Sequence, residues 1–148
     1  MSERVAGCCD SAGACVFAKA LLARSATCTL AQRVSLGERD LLECGSAVAR
    51  INCGTLAALL HERARFALRL PPAGRPLMHV QALRLQCGGL AALRGVLQAE
   101  GADVHAMVRQ AQQAHGSLAD LPWQELVPAL AAWQPRRRGP ARDGPADS

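Results

Sequence analysis

The chain has 148 residues, half of them hydrophobic, and it contains seven cysteines but only two Phe, two Trp and no Tyr. This length favours one domain with its own core, and the shortage of aromatic residues favours Leu, Ala and Val packed helix on helix rather than in sheets. The net charge of +5 comes mostly from Arg residues dispersed along the chain, which does not indicate a nucleic-acid partner, and no apolar run approaches the roughly 18 residues of a membrane span.

We also find no signal-peptide pattern, so we predict a cytoplasmic protein without a membrane partner. Disulfides are rare in the reducing cytoplasm, and the cysteines are therefore expected as free thiols or metal ligands. We divide the chain into a flexible segment at 1–10, a helical domain at 11–134 and a disordered tail at 135–148. Within the domain, residues 11–89 hold all the cysteines, and 90–134 are predicted as cysteine-free helices.

The first predicted helix covers residues 11–24, where apolar side chains recur at helical spacing. Residues 25–40 are less regular, and we favour a helix broken at Gly37 together with loops. The stretch 34–44 also fits two short strands on either side of this glycine. A short helical turn at 45–52 follows.

The clearest helix is predicted at 55–70, with Thr55 as its N-cap and a pair of prolines after its last residue. The next helix is predicted at 77–86. Gly88 and Gly89 follow it, and this pattern is typical of a C-terminal cap. Cys87 is then expected at the cap itself.

Three more helices are predicted, over residues 90–99, 104–115 and 121–133. Asp103 is a suitable cap for the second of them, and Pro128 predicts a kink in the third. Trp123 and Trp133 lie ten residues apart on nearly one helical face, which favours contact with a protein partner. The predicted fold class is all-α, a small single-domain helical bundle with a cysteine-bearing, loop-rich N-terminal half.

The cysteines carry the functional signal. Four of them are separated by 12, 15 and 8 residues, and a fifth candidate follows later: Cys15, Cys28, Cys44, Cys53 and then Cys87. Four thiolates are a suitable ligand set for a [4Fe–4S] cluster, a [2Fe–2S] cluster or a structural zinc ion. Because no C-x2-C pair is present, the tertiary fold must bring the ligands together. Wide spacing suits a cluster with separate iron corners, so we favour [4Fe–4S] over [2Fe–2S], with zinc as the alternative.

Glycines follow three of these cysteines, at positions 45, 54 and 88. Backbone at such points can approach closely and donate N–H groups to sulfur. Free cysteine is also a common small residue of helical cores, and Cys15 and Cys87 fit that role. The adjacent Cys8 and Cys9 would form only a strained disulfide, and they could instead act as labile extra ligands or as an oxidation-sensitive pair.

No catalytic motif is complete: His61 and Glu62 begin an H-E-x-x-H pattern that fails at Arg65, and we do not expect a stand-alone enzyme. We predict a small cytoplasmic iron–sulfur protein that serves electron transfer, cluster handling or redox sensing and has a protein partner. Arg residues near the cysteines, Arg50 among them, could attract an acidic redox partner, although a solvated face is the commoner explanation. The alternatives are a metal-free helical adaptor and a zinc-stabilised, redox-responsive regulator.

Overall fold

The computed structural model describes residues 13–135. Its elements, in chain order, are α1 (Ala18–Leu22), β1 (Ala31–Leu36), β2 (Arg39–Cys44), α2 (Ala47–Leu68), α3 (His79–Leu97), α4 (Val104–His115), a 3-10 turn (Leu118–Asp120) and α5 (Trp123–Ala132). The described chain is therefore mostly helical, as predicted, with a small two-stranded sheet in addition. The predicted flexible segment, with Cys8 and Cys9, and the predicted tail after residue 135 lie outside the described residues.

The sheet is an antiparallel hairpin of β1 and β2 in which Leu36 pairs with Arg39, leaving a two-residue turn. Gly37 opens the turn with φ +63, a left-handed conformation that glycine adopts without a steric penalty. A glycine with positive φ at this first position is typical of type II′ hairpins. The preferred prediction of a helix broken at Gly37 was therefore wrong, and the two-strand alternative describes this segment.

Helix α2 is one continuous helix of 22 residues and joins two predicted helical segments. It begins at Ser46, whose hydroxyl accepts a hydrogen bond from the backbone N–H three residues later. Thr55, the predicted N-cap, lies inside the helix and donates its hydroxyl to the carbonyl of Ile51. Gly54 does not interrupt the helix, and the chain leaves it at Arg69 with φ 56. The packing of the long apolar face outweighs the weak helix propensity of one glycine.

Helix α3 is also continuous through the predicted Gly88–Gly89 stop, and both glycines are buried. A Cβ atom added to Gly89 would lie 2.7 Å from Cδ1 of Leu60 on α2. A Cβ atom on Gly88 would lie 3.1 Å from the carbonyl oxygen of Leu130 on α5. The prediction of a cap here was wrong, because these glycines allow helices to approach closely. Cys87 consequently lies in the middle of α3.

The core is built from leucine, alanine and methionine side chains of α2, α3, α4 and α5. Its largest fully buried members include Leu56, Leu60, Leu93, Met107, Leu126 and Leu130. The predicted helix at 104–115 is confirmed, and Asp103 caps it by accepting a hydrogen bond from the N–H of Ala106 at 2.9 Å. None of the helices in the described part of the chain is long and apolar enough to cross a lipid bilayer.

The two tryptophans pack within the molecule. Trp123 is buried and donates its ring N–H to the carbonyl of Ala119, and Trp133 is half-buried beside Gly88. They do not form the exposed two-Trp face that helical spacing predicted. Pro128 lies inside α5 without ending it.

Candidate metal centre

Four of the five predicted ligands line one cavity, which lies between the hairpin and the starts of α1, α2 and α4. The residues around it are Cys15, Val16, Phe17, Cys28, Ala31, Cys44, Ala49, Arg50, Cys53, Val104 and His105. Cys87 is not among them, since it is buried in the helical core on α3. The fold thus brings together thiols from four separate segments of the chain.

Cys15 and Cys44 are positioned by backbone pairing beside the hairpin. The N–H of Cys15 donates to the carbonyl of Leu42 at 3.0 Å, and the N–H of Cys44 donates to the carbonyl of Gly13 at 2.7 Å. The segment before α1 therefore lies antiparallel to the end of β2. This pairing also explains why α1 is shorter than predicted, because Ala14 forms an antiparallel bridge with Glu43 instead of a helical turn. The thiol of Cys44 donates to the carbonyl of Ser46 at 3.2 Å.

Cys28 lies between two threonines that form hydrogen bonds with the start of α4. The N–H of Val104 donates to the carbonyl of Thr27 at 2.8 Å. The N–H of Thr29 donates to a carboxylate oxygen of Asp103 at 2.6 Å. Asp103 therefore has two roles, since its other carboxylate oxygen caps α4. These contacts fix the loop carrying Cys28 to a helix that lies far away in the sequence.

Cys53 lies in the second turn of α2, and the first turn of that helix also reaches the cavity through Ala49 and Arg50. The first turn of α4 contributes Val104 and His105. Helix N-termini carry partial positive charge, and they stabilise anions placed close to them. No Asp or Glu is found among the described residues that line the cavity. Arg50 and the start of α2 therefore place positive charge at the cavity, whereas the carboxylate of Asp103 already caps α4.

Water is largely excluded from the cavity. The gap between its lining atoms measures about 340 Å³ with the mouth included, but the centre of a water molecule can reach only about 10 Å³ of it. That space holds about one water molecule. The four cysteines that line the cavity are each partly buried, and this partial loss of solvent contact disfavours the charged form of a thiol.

This burial changes the acidity of two of the thiols. Burial, followed by the neighbouring thiols of Cys28, Cys15 and Cys44, raises the pKa of Cys53 to about 12. Burial also raises the pKa of Cys15, and it outweighs the opposing effect of the Phe17 N–H, which donates to that sulfur. Both groups are therefore protonated near neutral pH unless a bound cation displaces the protons.

Within residues 13–135, no group of three or more His, Cys, Asp or Glu side chains is arranged to hold a metal ion. A tetrahedral zinc site needs four sulfur atoms at about 2.3 Å from one point. The four thiols surround the cavity without meeting at such a point. Zinc binding would require the sulfur atoms to draw together, whereas a cluster binds each thiolate through a different iron atom.

Sequence reasoning named Arg50 as a charge near the cysteines but did not place it on the helical face of Cys53, and it did not assign His105 to this site. Arg50 precedes Cys53 by three positions, so a shared helical face was a usable signal for it once α2 was extended to Ser46. His105 follows the cap of α4, and its approach to the cysteines depends on tertiary contacts that local spacing does not encode.

The chain matches no protein-family model, no curated protein and no solved structure.

Proposed function

We propose that this is a small cytoplasmic iron–sulfur protein whose cluster is held by Cys15, Cys28, Cys44 and Cys53. The observation that carries the proposal is that these four thiols line one narrow cavity, whereas Cys87 is buried elsewhere. Four thiolates are the usual ligand set of a [4Fe–4S] or [2Fe–2S] cluster, and we favour the former. Such a cluster would serve electron transfer, cluster handling or redox sensing.

The charge balance of the cavity supports a cationic metal centre with thiolate ligands. Burial and the repulsion of neighbouring thiols raise the pKa values of Cys53 and Cys15, which disfavours their thiolate forms in the absence of a cation. Iron supplies the positive charge that makes the thiolates stable there. The cluster with its four thiolates is itself an anion, and the N-terminus of α2 together with Arg50 would stabilise that charge.

The origin of the ligands is the reason for preferring a cluster to a single ion. Each thiol comes from a separate segment, and a cluster offers a different iron atom to each thiolate. The gap is narrow, so cluster binding requires the thiols to rotate away from its centre.

The experiment is an anaerobic purification with assays for iron, acid-labile sulfide and visible absorbance that dithionite bleaches. Replacing each proposed ligand by alanine, in C15A, C28A, C44A and C53A, is expected to remove most of the iron and sulfide. C87A is the matched control, because it deletes an equally small buried thiol outside the cavity. We expect C87A to retain the cluster of the wild-type protein.

Wild-type protein that contains neither iron nor sulfide, and whose folding does not respond to chelators, would overturn the proposal. Stoichiometric zinc in that protein would identify the zinc-stabilised regulator. A metal-free preparation would identify the helical adaptor.

One observation favours that adaptor: Val48, Ile51 and Phe66 on α2 are 69%, 65% and 84% exposed, and such side chains can contact a partner.

A further inference from the structure

A surface cleft of about 560 Å³ lies directly beside the cysteine cavity. Ala49 and His105 line both spaces, so these two residues form a shared wall. The cleft runs between the start of α2 and the polar face of α4. Its floor and sides include the polar side chains of Asn52, Arg109 and Gln112.

The cleft is lined by a positively charged side chain, and none of its described lining residues is acidic. Arg109 is exposed one helical turn after His105, and within residues 13–135 it forms no hydrogen bond or ion pair. Arg50 adds a second positive charge on the cavity side of the shared wall. Positive charge on an exposed surface attracts acidic partners and speeds their association.

We propose that this cleft docks an acidic one-electron carrier protein that exchanges electrons with the cluster. The inference rests on the proposed function. One electron passes between the reduced cofactor of one protein and the oxidised cofactor of the other, and no covalent bond forms or breaks. The shared wall at Ala49 and His105 places the docked partner close to the cysteines.

A protein fits the cleft better than a small anion. One exposed guanidinium gains little from a small anion, because water and salt screen the pair. A protein partner would also cover the apolar side chains of Leu30 and Val48, which line the cleft next to the polar residues. Val48 is 69% exposed in the isolated chain. Such a surface, apolar with a charged rim, resembles an ordinary protein interface.

The test measures anaerobic electron exchange by stopped-flow spectroscopy, with a plant-type [2Fe–2S] ferredoxin as the acidic probe. The exchange is followed in the direction that the two reduction potentials favour. For R109E we expect the second-order rate constant to fall about tenfold at low salt and the difference to shrink at high salt. R75E is the matched control, because it changes the net charge equally. Arg75 lies beyond the other end of α2, a helix roughly 33 Å long. We expect R75E to change the rate less than about twofold.

Two readouts separate docking from damage to the cluster. Both variants should keep the wild-type iron content and the wild-type rate of reduction by photoreduced 5-deazariboflavin, a small uncharged reductant. Equal effects of R109E and R75E, or no effect of R109E, would overturn the docking inference while leaving the cluster in place. Stronger inhibition by phosphate than by chloride at equal ionic strength, seen only in proteins that keep Arg109, would also overturn the docking inference. That result would identify the cleft as a small-anion site. Wild-type protein without iron would end both proposals together.

Discussion

Cys53 illustrates how one side chain can change its chemistry with metal binding. In the metal-free cavity, burial raises its pKa to about 12, and the thiols of Cys28 and Cys15 act in the same direction. A raised pKa means that the folded protein keeps this proton at pH values near 9, where an exposed thiol loses it. Bound iron reverses the balance, because the thiolate then neutralises a cation. The free thiol is a poor nucleophile, and the metal-bound thiolate is a stable ligand.

We therefore expect Cys53 of the folded, chelator-treated protein to react slowly with iodoacetamide at about pH 8. A pKa of about 12 instead of 9.0 lowers the thiolate fraction by roughly a thousandfold. The alkylation rate should keep rising with pH above 9 rather than levelling off there. Mass spectrometry of the peptide containing Cys53, sampled over time at several pH values, measures this rate.

The matched control is the same protein unfolded in urea, where the alkylation rate of Cys53 should level off near pH 9. Circular dichroism verifies that the chelator-treated sample is folded. Equal rates for the folded and unfolded chains at every pH would show that the cavity does not desolvate this thiol.

At the scale of helices, the structure shows which elements local sequence can predict. The helix at 104–115 was predictable because its cap, Asp103, is adjacent to it in the chain. The role of Gly88 and Gly89 was not predictable, because a glycine pair has the same local pattern at a helix cap and at a close contact between helices. The residue that distinguishes the two cases is Leu60 on α2, which lies far away in the sequence. Gly54 led to a wrong helix boundary for the same reason, because tertiary packing stabilises α2 on both sides of this glycine.

Replacing Gly89 and Gly95 separately by alanine tests this interpretation of α3. G89A places a methyl group 2.7 Å from Leu60, and the overpacking exceeds the gain in helix propensity, so we expect a loss of about 1–2 kcal/mol in the free energy of unfolding. G95A is the matched control on the same helix, where a Cβ meets nothing within 4 Å. It should stabilise the protein by about 0.5–1 kcal/mol. Urea denaturation measures both values.

A double mutant separates the Leu60 contact from a general effect on the helix. In an L60A background the clash is gone, so G89A should cost less than it does in the wild-type protein. If G89A stabilised the wild-type chain as much as G95A does, Gly89 would have no role in helix approach.

At the scale of the whole molecule, the four cysteines of the cavity lie where residues 13–46 meet the starts of α2 and α4. Spacing and the lack of a C-x2-C pair were sufficient to nominate candidate ligands. They could not separate Cys87 from the other four, because that separation depends on pairing between distant segments. Examples are the contact of Thr27 with Val104 and the contact of Cys44 with Gly13. The same contacts bring His105 to the cavity.

The buried core is shared unequally between residues 13–46 and the helices that follow. Helices α2 to α5 share the large buried core, whereas residues 13–46 contribute few buried side chains, Phe17, Ala20 and Ala26 among them. Backbone hydrogen bonds of Thr27 with Ala102 and Val104 connect this part to the start of α4. A cluster on four cysteines would cross-link it to α2 and restrict its unfolded states, so metal binding would add directly to its stability.

We therefore expect cluster removal to loosen the molecule unevenly. Hydrogen exchange followed by mass spectrometry, on the protein with its cluster and after anaerobic chelation, should show faster exchange in residues 13–46. The amides of α3 and α5 should remain protected, because Leu93, Leu126 and Leu130 stay buried without any metal. C87A with its cluster is the control, since it perturbs the helical core and leaves the four proposed ligands intact. Equal loosening of all segments would mean that the metal stabilises the entire fold, and unchanged exchange in 13–46 would mean that these thiols do not bind a shared metal centre.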